Sequence, residues 1–207
     1  MTLQACADLV ARGDPDRFRA TMAAPLAARR VLFPLYAFNI EVSRAPWVTS
    51  EPVIAEMRLQ FWRDVIEELA AGRAPRAHEE VAPLAAAIPA DLIGALDAVV
   101  AARRWDIYSD PFDDRAAFDA YLTDTAATLV VVAARSLGAG PEAEPALRDA
   151  GWAFGLAAFL RAIPALEAAG RVPLVEGTPQ AVRDLANEGL GRLARARAAR
   201  AAVPRMA

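Results

Sequence analysis

Apolar side chains recur at three- and four-residue intervals along most of the chain, a spacing that places them on one face of a helix. The clearest run lies between about residues 51 and 71, where Ile54, Met57 and Phe61 begin the series. No run of strand length alternates between apolar and polar residues. Alanine is abundant and β-branched residues are sparse, which favours helix over strand. The sequence therefore predicts an all-α fold.

Proline and glycine punctuate the chain every 20–30 residues, a spacing that suits helix ends rather than domain borders. Beyond the helix at 51–71, we predict helices over about 90–107, from a turn at 110–114 to Gly138, over about 142–163, and in the segment after residue 182. Breaks are expected near Gly72, Gly138 and Pro164. We expect one helical domain over residues 1–207. The predicted core consists of Tyr36, Phe38, Phe61, Trp62, Tyr121, Leu129, Phe154 and Leu160.

The composition excludes several classes of function. The chain has 207 residues and a net charge of −3, so no basic surplus favours nucleic-acid binding. One cysteine and one histidine exclude a disulfide framework and a cysteine- or histidine-rich metal site. All 23 basic residues are arginine, which excludes a phosphate-binding loop of the Walker type and a Schiff-base lysine.

The location of the protein is predicted from what the sequence lacks. The N-terminal region is acidic and has no secretory signal pattern. The longest apolar stretch, over about residues 125–134, is shorter than the 18–20 residues or so of a spanning helix. We therefore expect a cytoplasmic protein, and peripheral membrane contact stays open. The composition, rich in alanine and arginine and without lysine, favours a bacterial protein.

Four segments together resemble one known family. The sequences RRVLFPLYAFNIEVSRAPW (29–47) and GWAFGLAAFLRAIPALEAAGRVPLV (151–175) resemble the two signatures of the squalene/phytoene synthase family. EMRLQFWRDVIEEL (56–69) and DAYLTDTAATL (119–129) resemble two helices between those signatures. The resemblance covers about residues 14–185 and implies a single helical bundle of the isoprenoid synthase type. Since family members continue for another pair of helices, we expect this bundle to lack the last ones.

Family members use Mg²⁺, held by two aspartate-rich clusters, to bind and ionise prenyl diphosphates. Aligned without gaps, the first cluster falls on Ser43, Arg44 and Trp47, and the second falls on Ala162, Ala165 and Leu166. All six carboxylates are therefore absent from this chain. Because Mg²⁺ needs several oxygen ligands, we predict no metal site, no cofactor and no catalytic residue here. The missing carboxylates favour a protein without enzymatic activity over an enzyme.

The residues that still match the family motifs are candidates for the lining of the ancestral pocket. Glu41 is a candidate for a lone pocket carboxylate, although an ion pair with Arg44 is the favoured alternative. Arg161 and Arg171 are candidates for binding an anion, against the alternative of ion pairing within the protein. We expect the pocket to be partly collapsed, because an empty apolar cavity is costly. The remnant-pocket candidates are Tyr36, Phe38, Glu41, Arg44, Trp62, Tyr121, Arg161 and Arg171.

The segments AFNIEV (37–42), MRLQFW (57–62) and FLRAIP (159–164) resemble the non-catalytic branch of the family, which includes an assembly factor for respiratory complex I. The resemblance implies an assembly or interaction protein whose partners include respiratory-chain subunits. Two alternatives stay open: a prenyltransferase of terpenoid or carotenoid synthesis, and a module that binds a prenyl lipid without turnover. A homodimer also stays open, because a bundle without its last helices would expose apolar surface.

Overall fold

The computed structural model describes residues 3–204, and every regular element in that range is helical. The α-helices are α1 (Leu3–Gly13), α2 (Pro15–Ala23), α3 (Leu26–Arg44), α4 (Pro52–Ala70), α5 (Val81–Ala87), α6 (Ala90–Ile93), α7 (Leu96–Ala102), α8 (Arg115–Leu122), α9 (Thr128–Ser136), α10 (Glu144–Ala168) and α11 (Pro179–Ala198). A π-helical turn (Thr123–Ala127) joins α8 to α9, and a 3₁₀ turn (Arg103–Asp106) follows α7. The all-α prediction is confirmed for the described residues.

Helix ends follow local sequence signals at most positions. The side chain of Asp14 accepts a hydrogen bond from the backbone N–H of Arg17 at the start of α2, and Asp114 does the same for Ala117 in α8. Glycines with positive φ follow α4 at Gly72 and α9 near Gly138, as predicted. The starts of α2 and α8 are therefore fixed by side-chain caps, and the ends of α4 and α9 are followed by glycines that adopt positive φ.

The break predicted at Pro164 is wrong. Helix α10 continues through this proline and ends at Ala168, two residues before Gly170, whose φ is 77°. A proline in a helix removes one backbone hydrogen bond, but α10 packs along α11, α9 and the π-helical turn. Packing over this length holds the helix together across the lost bond. The helix predicted over about 90–107 is instead divided into α6, α7 and the 3₁₀ turn.

The core consists of two main apolar clusters. The first joins α3, α4, α7 and α9 around Phe38, Trp62 and Leu129. The second joins α8, α10 and α11 around Tyr121 and Trp152. Of the predicted core, Tyr36, Phe61 and Leu160 are only partly buried. The prediction for Phe154 is wrong, because 57% of this residue is exposed, on the side of α10 that lines a cavity.

The π-helical turn lies where α10 approaches most closely. A Cβ atom added to Gly151 would lie 2.5 Å from Cα of Ala127, so α10 must carry a glycine at this point. The hydroxyl of Thr125 donates to the carbonyl of Tyr121 at 2.6 Å, and the hydroxyl of Thr128 donates to the carbonyl of Thr123 at 3.2 Å. These bonds satisfy carbonyls around the irregular turn.

The segment from Arg115 to Ser136, which includes the π-helical turn, forms one helical stretch of 22 residues. Its length and apolar composition would suffice to cross a membrane, so the expectation that no stretch reaches this length is wrong. The segment packs against α7 and α10, and just over half of its most apolar part is buried. Core helices of helical bundles have the same character.

A cavity between helices α3 and α10

A cavity of about 1300 Å³ lies between α2, α3 and α10, and the π-helical turn forms part of its floor. The cavity opens to solvent, because Trp47 and Arg161 line it and are themselves exposed. Small side chains form much of the apolar wall. They include Ala20, Ala126, Ala133, Ala134, Gly151, Gly155, Ala158, Ala162 and Ala165.

The expectation of partial collapse stays a prediction, but the walls have not closed completely, because an open space remains between them. Helix α3 packs against α1 and α5, and α10 packs against α11, so each wall is held in place by other helices. The cavity is also open to water, so the cost of an empty, closed cavity does not apply to it.

A buried polar network marks one end of the cavity. The hydroxyl of Tyr121 donates to the carboxylate of Asp106, at 3.0 and 3.1 Å from its two oxygens, and accepts from Nη1 of Arg103 at 2.8 Å. The same Nη1 lies 3.2 Å from Oδ2 of Asp106. Burial raises the pKa of the Tyr121 hydroxyl, so it stays protonated as a donor. Nε of Arg103 is buried without a hydrogen-bond partner.

The candidate Arg171 holds the wall together and does not line the cavity. Its guanidinium lies 4.6 Å from the ring of Trp105 and 5.4 Å from the ring of Trp47. Its Nη2 donates to the backbone carbonyl of Trp105 at 2.9 Å. Arg171 is 6% exposed, and its Nη1 is buried without a hydrogen-bond partner. No ion pair of Arg171 is found among residues 3–204, and its anion-binding role stays a prediction.

The other candidates divide between the cavity, the core and the surface. Tyr36, Tyr121 and Arg161 line the cavity. Phe38 and Trp62 lie behind it in the first cluster, with their ring centroids 5.1 Å apart.

The predicted ion pair between Glu41 and Arg44 is wrong. Glu41 lies 3.7 Å from Arg58 of α4. Arg44 is exposed at the end of α3. The partner of Glu41 is therefore Arg58 on the neighbouring helix and not Arg44, which the spacing within α3 suggested.

The positions that carry carboxylates in the resembled family lie on both walls of the cavity. Ser43 and Trp47 belong to one wall, and Ala162, Ala165 and Leu166 belong to the other. The acids that do line the cavity are engaged elsewhere: Asp14 caps α2, Asp16 pairs with Arg19, and Asp106 belongs to the polar network. Within residues 3–204, no group of three or more acidic, histidine or cysteine side chains could hold a metal ion.

Sequence reasoning missed both Arg103 and Asp106 as residues of the cavity. Asp114 does cap α8, whereas Asp106 is buried against Tyr121. The available signal was the pair of opposite charges three residues apart at the end of an apolar helix, beside Trp105. Phe154 was assigned to the core, although the structure places it on the cavity wall.

A sequence model described as squalene/phytoene synthase matches residues 10–207. The chain belongs to the squalene/phytoene synthase family. Among solved structures, a dehydrosqualene synthase crystallised with a ligand superposes with a TM-score of 0.81 at 12% identity, over 99% of this chain and 78% of that one. The fold is therefore the isoprenoid synthase fold, as predicted.

Curated relatives from this family carry the description NADH dehydrogenase (ubiquinone) complex I, assembly factor 6. The homologue from Drosophila melanogaster is 39% identical over 80 residues, which cover 38% of this chain and 24% of that protein. The protein from Rattus norvegicus is 27% identical over 170 residues, which cover 77% of this chain and 48% of that protein. The chain thus spans at most about half the length of these relatives.

Proposed function

We propose that this chain is a non-catalytic member of the squalene/phytoene synthase family that assists assembly of an NADH dehydrogenase complex by binding protein partners. The observation that carries the proposal is the chemistry of the two cavity walls. Where catalytic members of the family hold Mg²⁺, these walls present Ser43, Trp47, Ala162, Ala165 and Leu166. One hydroxyl oxygen is the only oxygen among these side chains.

The physical argument concerns the leaving group. A departing diphosphate needs charge neutralisation, and Mg²⁺ supplies it only where several oxygen ligands converge. Arg161 is exposed at the cavity mouth and can attract an anion. One surface arginine is a weak substitute for metal ions held on both sides of the phosphates. We therefore propose that the cavity does not ionise prenyl diphosphates.

The similarity to complex I assembly factor 6 supports the assembly role. It reaches across 77% of this chain in the rat protein. We propose respiratory-chain subunits as the protein partners and a cytoplasmic location. Cell fractionation tests that location directly.

A second candidate function rests on the size of the cavity. A space of about 1300 Å³ exceeds the volume of typical small-molecule sites, and its wall of alanine and glycine suits a long apolar chain. A module that holds a prenyl lipid without turnover is therefore the alternative to a purely protein-binding role. The two roles are compatible, because the cavity and the outer helix faces are separate surfaces.

The assembly role is tested in the organism of origin by deleting the gene and resolving membrane complexes on native gels. We expect less assembled NADH dehydrogenase, restored by the wild-type gene. Normal complex levels in the deletion strain would contradict the proposal. A tagged protein should also recover respiratory-chain subunits, and an untagged strain serves as the control.

The prenyltransferase alternative is tested with purified protein. Farnesyl or geranylgeranyl diphosphate with Mg²⁺ should release no pyrophosphate above a protein-free control. Release that depends on the protein and on Mg²⁺ would show catalysis and refute the non-catalytic assignment. Binding of farnesol, which lacks the diphosphate, separates the lipid-binding module from a protein that leaves its cavity unused.

A further inference from the structure

Two buried polar side chains on the wall of the cavity lack a hydrogen-bond partner. Asn39 of α3 is 6% exposed and Thr21 of α2 is 1% exposed, and both residues line the cavity. Within residues 3–204, no partner reaches Oδ1 of Asn39 or Oγ1 of Thr21. Folded proteins rarely leave buried polar atoms unpaired, because such atoms have lost their hydrogen bonds to water. A ligand in the cavity would supply the missing partner.

Asn39 has a second polar side chain beside it on the same wall. Tyr36 lies one helical turn earlier on α3 and also lines the cavity. The guanidinium of Arg17 lies 5.1 Å from the centre of the Tyr36 ring, which holds the ring against α2. Burial raises the pKa of the Tyr36 hydroxyl, so this group stays protonated and uncharged. The wall formed by α3 therefore presents an amide and a hydroxyl, neither of which carries a charge.

The charged residue closest in sequence to this wall is an acid that already has a partner. The end of α1 packs against α3 next to Asn39, because a Cβ added to Gly13 would lie 2.9 Å from Cγ2 of Ile40. Asp14, which follows Gly13, is near enough to add to the rise in the pKa of Tyr36. Its carboxylate lies 3.4 Å from the guanidinium of Arg17. This pair is neutral as a whole and leaves no free cation for an anionic ligand.

The charges of the whole lining also balance. Asp106 is neutralised by Arg103, and Asp16 pairs with Arg19 outside the lining. Arg161 is exposed and belongs to α10, on the other wall. The lining thus contains three acids and three arginines, which are Asp14, Asp16, Asp106, Arg17, Arg103 and Arg161.

We propose that the cavity binds a long apolar alcohol, with its hydroxyl group at Asn39 and its chain along the alanine and glycine residues of α10. A hydroxyl group both donates and accepts, so it suits the oxygen and the nitrogen of the amide alike. A carboxylate or diphosphate only accepts, and it would lose its hydration beside the carboxylate of Asp14. The inference rests on the lipid-binding alternative described above and is independent of the assembly role.

The test is equilibrium dialysis of the purified full chain with farnesol, with farnesene and with farnesyl diphosphate, all without Mg²⁺. Farnesene is the matched hydrocarbon, since it lacks the hydroxyl group. We expect farnesol to bind at least about tenfold tighter than farnesyl diphosphate, because a charged head loses more hydration at an uncharged wall. Equal or tighter binding of the diphosphate would overturn the proposed head group.

Matched variants locate the head group. Asn39→Leu removes the amide but keeps a side chain of similar size, so farnesol binding should weaken about fivefold, the contribution of one hydrogen bond between uncharged groups. Farnesene binding should stay within about twofold of wild type. Asn187→Leu is the control, because it makes the same change at an exposed position of α11 outside the cavity. Both ligands should bind this control within about twofold of wild type.

The outcomes separate this inference from the functions proposed above. Equal losses of farnesol and farnesene in Asn39→Leu, or no loss of either, would overturn the role of Asn39 and leave the lipid-binding alternative standing. Binding of neither ligand to wild type would refute both, but not the assembly role. Because Oδ1 of Asn39 has no partner within the described chain, Asn39→Leu should not lower the free energy of unfolding in urea. A lower value would show that the amide serves the fold instead.

Discussion

Replacing Tyr121 by phenylalanine removes one hydroxyl from a network that is almost entirely buried. Asp106 is 6% exposed and accepts from the Tyr121 hydroxyl and from Arg103. In Tyr121→Phe the carboxylate keeps only the arginine, at 3.2 Å, and Nη1 of Arg103 loses an acceptor. The ring itself still fills its place in the second cluster, so the change isolates the polar contribution.

The expected loss in the free energy of unfolding follows from the charges of Asp106 and Arg103. A hydrogen bond to a charged group contributes about 1.5–3 kcal/mol, and this hydroxyl bonds to two charged groups. Because the two ions stay paired to each other, we expect a loss of about 3 kcal/mol in the free energy of unfolding rather than the full sum. For a chain of this length, that loss lowers the melting temperature by about 6–12 °C.

The measurement is urea unfolding followed by circular dichroism, with Tyr108→Phe as the matched control. Tyr108 also donates to a carboxylate, Glu56 at 3.1 Å, but it is exposed. We expect the control to lose less than about 0.5 kcal/mol. If both variants lose the same free energy of unfolding, burial does not strengthen the hydrogen bonds of the network at the cavity end, and the reasoning is refuted.

Three further substitutions have defined outcomes. Gly151→Ala places a methyl group 2.5 Å from Cα of Ala127, so the free energy of unfolding should fall by at least about 2 kcal/mol, and an unchanged value would contradict the close approach. Ala158→Trp should fill part of the open cavity with a change of less than about 1 kcal/mol, while farnesol binding weakens at least about tenfold. If farnesol binds equally well, the ligand lies outside the cavity. Burial raises the pKa of Glu80, so its protonated form is favoured in the folded state and this contribution is lost as the pH rises. Wild type should therefore lose stability relative to Glu80→Gln as the pH rises above about 4.5, the ordinary pKa of this carboxyl, and a constant difference would contradict this.

Local signals in the sequence predicted helices well where one face of the helix decides the structure. The helix expected over about 51–71 is observed as Pro52–Ala70, because its apolar face and the flanking proline and glycine all agree. The family motifs also identified Tyr121 and Arg161 as cavity residues.

Features that depend on contacts between helices were not predictable from spacing. Pro164 does not end α10, because neighbouring helices stabilise it on both sides of the lost hydrogen bond. Glu41 pairs with an arginine of α4, which local spacing within α3 could not reveal. The link between Asp106 and Tyr121 joins two elements 15 residues apart, and the turn between them gives no helical register from which to predict it.

The π-helical turn is the place where the helical stretch from α8 to α9 can change its length by one residue. A π turn takes about one residue more than an α turn, so Thr123–Ala127 contains one residue that a regular helix would not need. Deleting one residue there would convert the turn to regular α-helix while α8 and α9 keep their positions against their own clusters. Deleting a residue within α9 would instead rotate the rest of that helix by about 100° and turn its buried side chains outward. Natural length variants of this helix are therefore expected at the π-helical turn.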